Sequence, residues 1–192
     1  MPKLILASQS PRRKELLRRI CKDFEVQPSG VDEIMDSALT PEANALAIAR
    51  GKALWVARRH KGNIVIGADT IVVLDGQVIG KPKGANDACR ILKTLAGQRH
   101  QVITGVVVIS PAEEIFTDTV TSTVHIKPLS DEEIAGYVRT SEPLDKAGAY
   151  AIQGKGAFIV ESHEGSYSNI VGLPLEALET LLRQAAASGD PG

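Results

Sequence analysis

The sequence predicts an α/β fold, a mixed twisted sheet with flanking helices. Three observations carry that expectation. Short apolar strand-like runs alternate with helical stretches along the whole chain. Asp75-Gly76 stands between two such runs, a strong two-residue signal for a hairpin. No G-x-G-x-x-G follows a strand, so the pattern is not that of a doubly wound dinucleotide-binding unit. The 192 residues are 43% hydrophobic, enough for a sizeable core, and fit one domain or two closely joined lobes.

Each element has its own signal. Residues 3–7 form a short apolar strand, and Ser10 caps a helix with Pro11 at its first position. Leu16, Leu17 and Ile20 give that helix its apolar stripe. A second strand covers 24–27, and the polar segment 28–39 carries an acidic cluster at Asp32, Glu33 and Asp36. Thr40-Pro41 opens a long helix to about His60, with the expected stripe Ala43, Leu46, Ala47, Leu54 and Ala57. A compact strand at 64–67 is expected to end at Ala68-Asp69-Thr70, and 71–74 and 77–79 flank the hairpin turn. A helix at 86–95 is closed by Gly97. Two long β segments, 102–109 and 115–126, follow, the second alternating and so wet on one face. Ser130 and Glu133 make a capping box for a helix through Arg139. Residues 140–156 read as a functional loop, 158–161 as a strand and 174–187 as the last helix. One domain of two lobes is thus expected over 1–187, with a frayed tail at 188–192.

Composition excludes several function classes. Charged residues are 23% and nearly balanced, with a formal net charge of −1. A general nucleic-acid coat or an acidic-membrane binder needs a basic excess, although a local basic pocket needs only a few Lys and Arg. The apolar run near the N-terminus is too short for a signal peptide, and no stretch approaches a membrane span. The expectation is a cytoplasmic protein without nucleic-acid or membrane partners. Cys21 and Cys89, both expected in helices, lack metal-site spacing and read as reduced thiols. His60, His100, His125 and His163 show no zinc pattern, and no phosphate-binding P-loop is present.

Four constellations could carry chemistry. Ser8-Gln9-Ser10-Pro11-Arg12-Arg13 lies at a helix N-terminus, where unpaired N–H groups favour anions; its alternative is a capped helix with two solvated arginines. Asp69 could hold a divalent cation or position a water for attack on phosphorus, or be a turn aspartate. Lys81, between Gly80 and Pro82, could reach phosphate oxygens, as could Lys52 in the long helix. Either could instead be an exposed lysine. Glu33 is the best second metal carboxylate, or a solvated loop charge. Residues 145–156 combine three glycines with Lys146, Lys155 and Gln153, whose amide both donates and accepts toward a base edge. Gly165-Ser166-Tyr167-Ser168-Asn169 is a similar polar loop. Each of these two segments could also be ordinary surface.

Taken in order, the blocks LASQSPRRKELL (6–17), VDE (31–33), IARGKA (48–53), IGADTIV (66–72), IGKP (79–82), HQVITGV (100–106), DKAGAYAIQGKGA (145–157) and GSYSNIVGLPLE (165–176) resemble the Maf family of nucleotide pyrophosphatases. The ordered set spans nearly the whole chain. The resemblance implies an inosine-triphosphatase-like fold with a cleft between two lobes. It also implies hydrolysis of the α–β phosphate bond of a nucleoside triphosphate to monophosphate and pyrophosphate. By position, Asp69 matches the catalytic acid–base carboxylate. Ser8, Arg13, Glu33, Lys52 and Lys81 match the phosphate and metal site, with Glu33 and Asp69 as metal carboxylates. Arg12, Thr70 and Gln153 match positions linked to base choice. The ADT and AIQGKGA blocks resemble the dTTP/UTP branch more than the 7-methyl-GTP branch. A divalent cation (Mg, Mn or Co), a homodimer, a house-cleaning role in nucleotide pools and a link to septum formation are further implications. The same reaction on 7-methyl-GTP or another modified nucleotide, and a non-catalytic nucleotide-responsive regulator of division, are the alternatives.

Overall fold

A computed structural model describes residues 2–188 of the chain; of the tail expected at 188–192, all but Ser188 lies outside them. Strands β1 (Leu4–Leu6), β2 (Glu25–Val26), β3 (Ile64–Leu74), β4 (Gln77–Ile79), β5 (Arg99–Ile109), β6 (Ile115–Ile126) and β7 (Val160–Glu164) form a seven-stranded sheet. Its order is β2-β1-β3-β5-β6-β7, with β4 paired to β3. The sheet is mixed: β1 runs parallel to β2 and to β3, whereas β3–β4 and β6–β7 are antiparallel. The helices are α1 (Pro11–Leu17), α2 (Pro41–Ala57), α3 (Ala85–Leu95), α4 (Asp131–Arg139), α5 (Tyr167–Val171) and α6 (Leu175–Ala187). Among the described residues, no helix is long and apolar enough to cross a membrane.

The chain divides into two compact units. The first comprises Met1–Asp69, Thr104–Val120 and Gly172–Gly192; the second comprises Thr70–Ile103 and Thr121–Val171. In the first, Ile5, Val65, Val107 and Ile109 of the sheet, with Ala7 just after β1, pack with Ala49, Ala53 and Val56 of α2. The small residues let helix and sheet approach closely. A Cβ at Gly67 would lie 2.4 Å from the Ala49 carbonyl oxygen, and one at Gly105 would lie 2.6 Å from the backbone of Ala45. The buried face of α2 is therefore Asn44, Ala45, Ile48, Ala49, Lys52, Ala53 and Val56. The expected stripe lies beside this face: Leu46, Leu54 and Ala57 are half-buried and pack against the same core, Ala43 is half-buried and Ala47 is exposed. Periodicity of bulky side chains misled, because glycines on the strands select the alanine face.

In the second unit, Ile91, Leu92 and Leu95 of α3 and Ile134, Tyr137 and Val138 of α4 close over Val72, Val102, Val124 and Ile126. The hairpin turn takes the predicted left-handed conformation at both positions, with φ 49° at Asp75 and 77° at Gly76. The capping box of Ser130 and Glu133 is complete.

Several boundaries move. β3 does not stop at Ala68 but runs unbroken to Leu74, so Asp69 is a mid-strand residue. Cys21 follows the turn after α1 and is not helical. Phe158 and Ile159 belong to a 3-10 turn, and the strand starts at Val160. Tyr167–Val171 is a short helix where a polar loop was expected. The loop 140–156 is organised as tight 3-10 turns, Glu142–Asp145, Ala147–Ala149 and Gly154–Ile159.

Candidate active site

The first unit brings most of the predicted residues together. Period-two alternation puts Gly67 and Asp69 on the same face of β3. Because Gly67 has no side chain, Ala49 and Ala53 of α2 settle on it, and Lys52, on that same turn of α2, is carried against Asp69. The Lys52 ammonium donates to Asp69 Oδ1 at 2.7 Å and to Glu33 Oε1 at 2.5 Å. Lys52 and Asp69 are each 6% exposed. The alternative of an exposed helix lysine does not hold: Lys52 lies under the surface, held by two carboxylates. Glu33 stays half-open, with 46% of its side chain exposed.

The segment after β1 supplies the other positive charges. Ser8 is buried, and its hydroxyl accepts from Ser10 N at 3.2 Å and from Arg13 Nη1 at 3.4 Å. Ser10 caps α1 by accepting from Arg13 N at 3.4 Å. Arg13 Nε donates to the carbonyl of Gly172 at 2.7 Å, which fixes the guanidinium. Burial pushes the Arg13 pKa below its ordinary value, and nearby Arg12 adds to that. The negative charges of Asp69 and Glu33 oppose both, so these carboxylates act directly on Arg13. Arg12 itself is half-buried on α1.

The remaining candidates belong to the second unit. Thr70 is half-buried on β3, one residue after Asp69. Lys81 is exposed just after β4, and Gln153 is half-buried before the turn Gly154–Ile159. Within this unit the segments of Lys81 and Gln153 are neighbours in part: Gly148 N donates to the Gly80 carbonyl at 3.1 Å. His100, one of the four histidines without a zinc pattern, is buried, with Nε2 2.7 Å from the Tyr150 hydroxyl. Sequence reasoning missed the buried contact of Lys52 and the hydrogen bonds that Glu142 and Tyr137 make to the 151–156 loop. A lysine in a helix and a glutamate beside a proline carry no local signal of burial or pairing.

Glu33 and Asp69 fit a divalent cation by their chemistry. Both are hard oxygen donors, and both already converge on one cationic atom, Lys52 Nζ. Among the described residues no group of three His, Cys, Asp or Glu could hold a metal. A cation here would take two carboxylates from the protein and oxygens from phosphate or water for the rest, the usual arrangement for Mg²⁺.

A relative from Caldicellulosiruptor saccharolyticus named dTTP/UTP pyrophosphatase is 49% identical over 189 residues, covering 96% of this chain and 95% of its own. One of the same name from Geotalea uraniireducens is 50% identical over 185 residues, covering 95% of each chain. The solved structure of a HAM1 protein from Coxiella burnetii superposes with a TM-score of 0.50 at 15% identity, covering 97% of this chain and 100% of that one, and shows the shared fold. The family model described as Maf-like protein matches residues 3–185, and the chain belongs to the Maf family.

Proposed function

We propose that the chain is a nucleoside triphosphate pyrophosphatase that cleaves dTTP and UTP between the α- and β-phosphates, giving the monophosphate and pyrophosphate. The observation that carries this reading is the convergence of Lys52, Asp69 and Glu33 beside Arg13 in one unit. It occurs in a chain about half identical to relatives named for that activity. A triphosphate brings several negative charges, so carboxylates at its site make sense only with cations among them. Glu33 and Asp69 are the residues to hold a divalent ion (Mg, Mn or Co), which when bound offsets phosphate charge.

The chain's own residues have these roles. Asp69, on a rigid strand, accepts the proton of a water whose oxygen bonds to the α-phosphorus. The α–β bridging bond breaks, and its electron pair leaves with pyrophosphate. Arg13, fixed by Gly172 and Ser8, and Lys52 donate to phosphate oxygens, since charge-assisted bonds are the strong ones. Ser8 orients Arg13, and Lys81 is a further phosphate contact. Arg12, Thr70 and Gln153 are assigned to base choice through their motif positions. The chain is further read as a homodimer in the cytoplasm, which equilibrium sedimentation and fractionation would check.

A panel of nucleoside triphosphates, each with and without Mg²⁺ and with pyrophosphate detected, tests the reading. Turnover of UTP and dTTP that disappears with chelator is expected. Equal turnover of GTP, or cation-independent turnover, would refute the substrate or the cofactor assignment respectively. Tight nucleotide binding without any product would refute the enzyme.

A further inference from the structure

Glu142 lies three residues beyond α4 and opens the turn Glu142–Asp145. Its carboxylate gathers three donors from the second unit. Tyr137 Oη donates to Oε1 at 2.9 Å, Gly156 N to Oε1 at 2.9 Å, and Lys155 N to Oε2 at 3.1 Å. The Tyr137 hydroxyl in turn accepts from Ala151 N at 3.1 Å. Both ends of the segment 151–156 are thus tied to one pair of side chains, and Gln153 stands between the ties.

The ties leave no slack. A Cβ on Gly156 would lie 2.3 Å from Tyr137 Oη and 2.5 Å from the Ala151 carbonyl. One on Gly154, whose φ is +67°, would lie 2.8 Å from Glu142 Oε2. Burial alone would raise the Glu142 pKa. Hydrogen bonds from Lys155, Tyr137 and Gly156, and the nearby charge of Lys146, outweigh it and hold the carboxyl below its ordinary value. Lys146 also donates to the Glu142 carbonyl at 2.7 Å and to Asp145 Oδ1 at 2.6 Å, fixing the start of the same loop. An ionised carboxylate is acceptor-only, which is what three converging donors require.

We propose that Glu142, acting with Tyr137, is a positioning residue that fixes the backbone on either side of Gln153 and thereby sets base discrimination. The proposal rests on Gln153 reading the base, as stated above. Neither Glu142 nor Tyr137 is assigned a contact with substrate.

Glu142→Gln is nearly isosteric but presents an amide NH₂ where one backbone N–H needs an acceptor. Tyr137→Phe removes the hold on Ala151 and the hydroxyl's bond to Glu142 Oε1, and leaves both backbone donors to Glu142 in place. The test combines amide hydrogen exchange with kcat/KM for UTP and GTP, in the wild type and in a Gln153→Ala background, with circular dichroism as the check on folding. Glu142→Gln is expected to speed exchange by roughly tenfold at whichever of Lys155 and Gly156 faces the new amide nitrogen, and Tyr137→Phe to do so at Ala151. The UTP-to-GTP ratio is expected to fall by roughly tenfold in Glu142→Gln, chiefly through KM for UTP. It should fall no further when Gln153 is already alanine. Unchanged exchange at 155 and 156 would overturn the clamp. Faster exchange with an unchanged ratio, while Gln153→Ala does lower it, would overturn the positioning role and leave the base reading intact. If Gln153→Ala itself leaves the ratio unchanged, the base reading fails and the proposal with it.

Discussion

Replacing Gly67 by alanine probes how the fold builds the site. The new Cβ would lie 2.4 Å from the Ala49 carbonyl and 2.8 Å from the Ala53 Cβ, obstacles set directly on the backbone of α2 that no rotamer change relieves. Ordinary contact returns only if α2 retreats by about 1 Å. Overpacking of this kind costs about 1–3 kcal/mol. For a chain of this size that lowers Tm by roughly 2–12 °C. The retreat also draws Lys52 away from its 2.7 Å contact with Asp69, and a misplacement of ~1 Å can reduce turnover ~10²-fold. Gly51 is the control: it lies inside the same helix, and a Cβ there meets only Val31 Cγ1 at 3.5 Å. Gly51→Ala should be neutral or stabilising by about 0.5–1 kcal/mol. Thermal melts followed by circular dichroism, with kcat/KM for UTP, decide the matter. If Gly67→Ala melts and turns over like the wild type, close packing of α2 does not set Lys52 against Asp69.

Asp69→Asn should stay folded, since the amide can still accept from Lys52, yet lose ~10²-fold or more in kcat; a folded variant with most of its activity would make Asp69 structural. Lys52→Ala should destabilise by about 3–5 kcal/mol in urea unfolding, because it leaves the Asp69 carboxylate buried without its cation. Lys81→Ala, at an exposed site, should change stability by less than about 0.5 kcal/mol while raising KM for UTP. Equal stability of the two variants would contradict the difference in burial. Burial pushes the His100 pKa down to about 4, so below pH ~6.5 the unfolded chain binds a proton that the folded chain does not. That contribution to stability is fully present above pH ~6.5, is lost as pH falls toward about 4, and amounts to roughly 3 kcal/mol. His100→Gln should flatten the stability profile in that window, and an unchanged profile would show that His100 is not its source.

Much of this was legible in the sequence because the signals were local. Ser10 with Pro11, Thr40 with Pro41, the Asp75-Gly76 turn and the Ser130–Glu133 box each act within four residues, and each formed as expected. What escaped was non-local. The buried face of α2 is chosen by Gly67 and Gly105 on strands far away in sequence, so the bulky residues of the helix pointed to its flank and not to its centre. β3 outruns its expected end because Ile71, Val72 and Val73 continue the buried run past a polar pair. Ser8, Arg13, Glu33, Lys52 and Asp69 could be named one at a time, but only the fold shows two carboxylates sharing one ammonium. Glu142 left no trace, since two of its three partners are backbone N–H groups that any sequence carries.

The most direct test of the central claim is the ³¹P NMR time course of UTP hydrolysis with Mg²⁺. The account predicts that the three UTP resonances give way to those of UMP and pyrophosphate in equal amounts, with no UDP at any time. Appearance of UDP and orthophosphate as first products would contradict it.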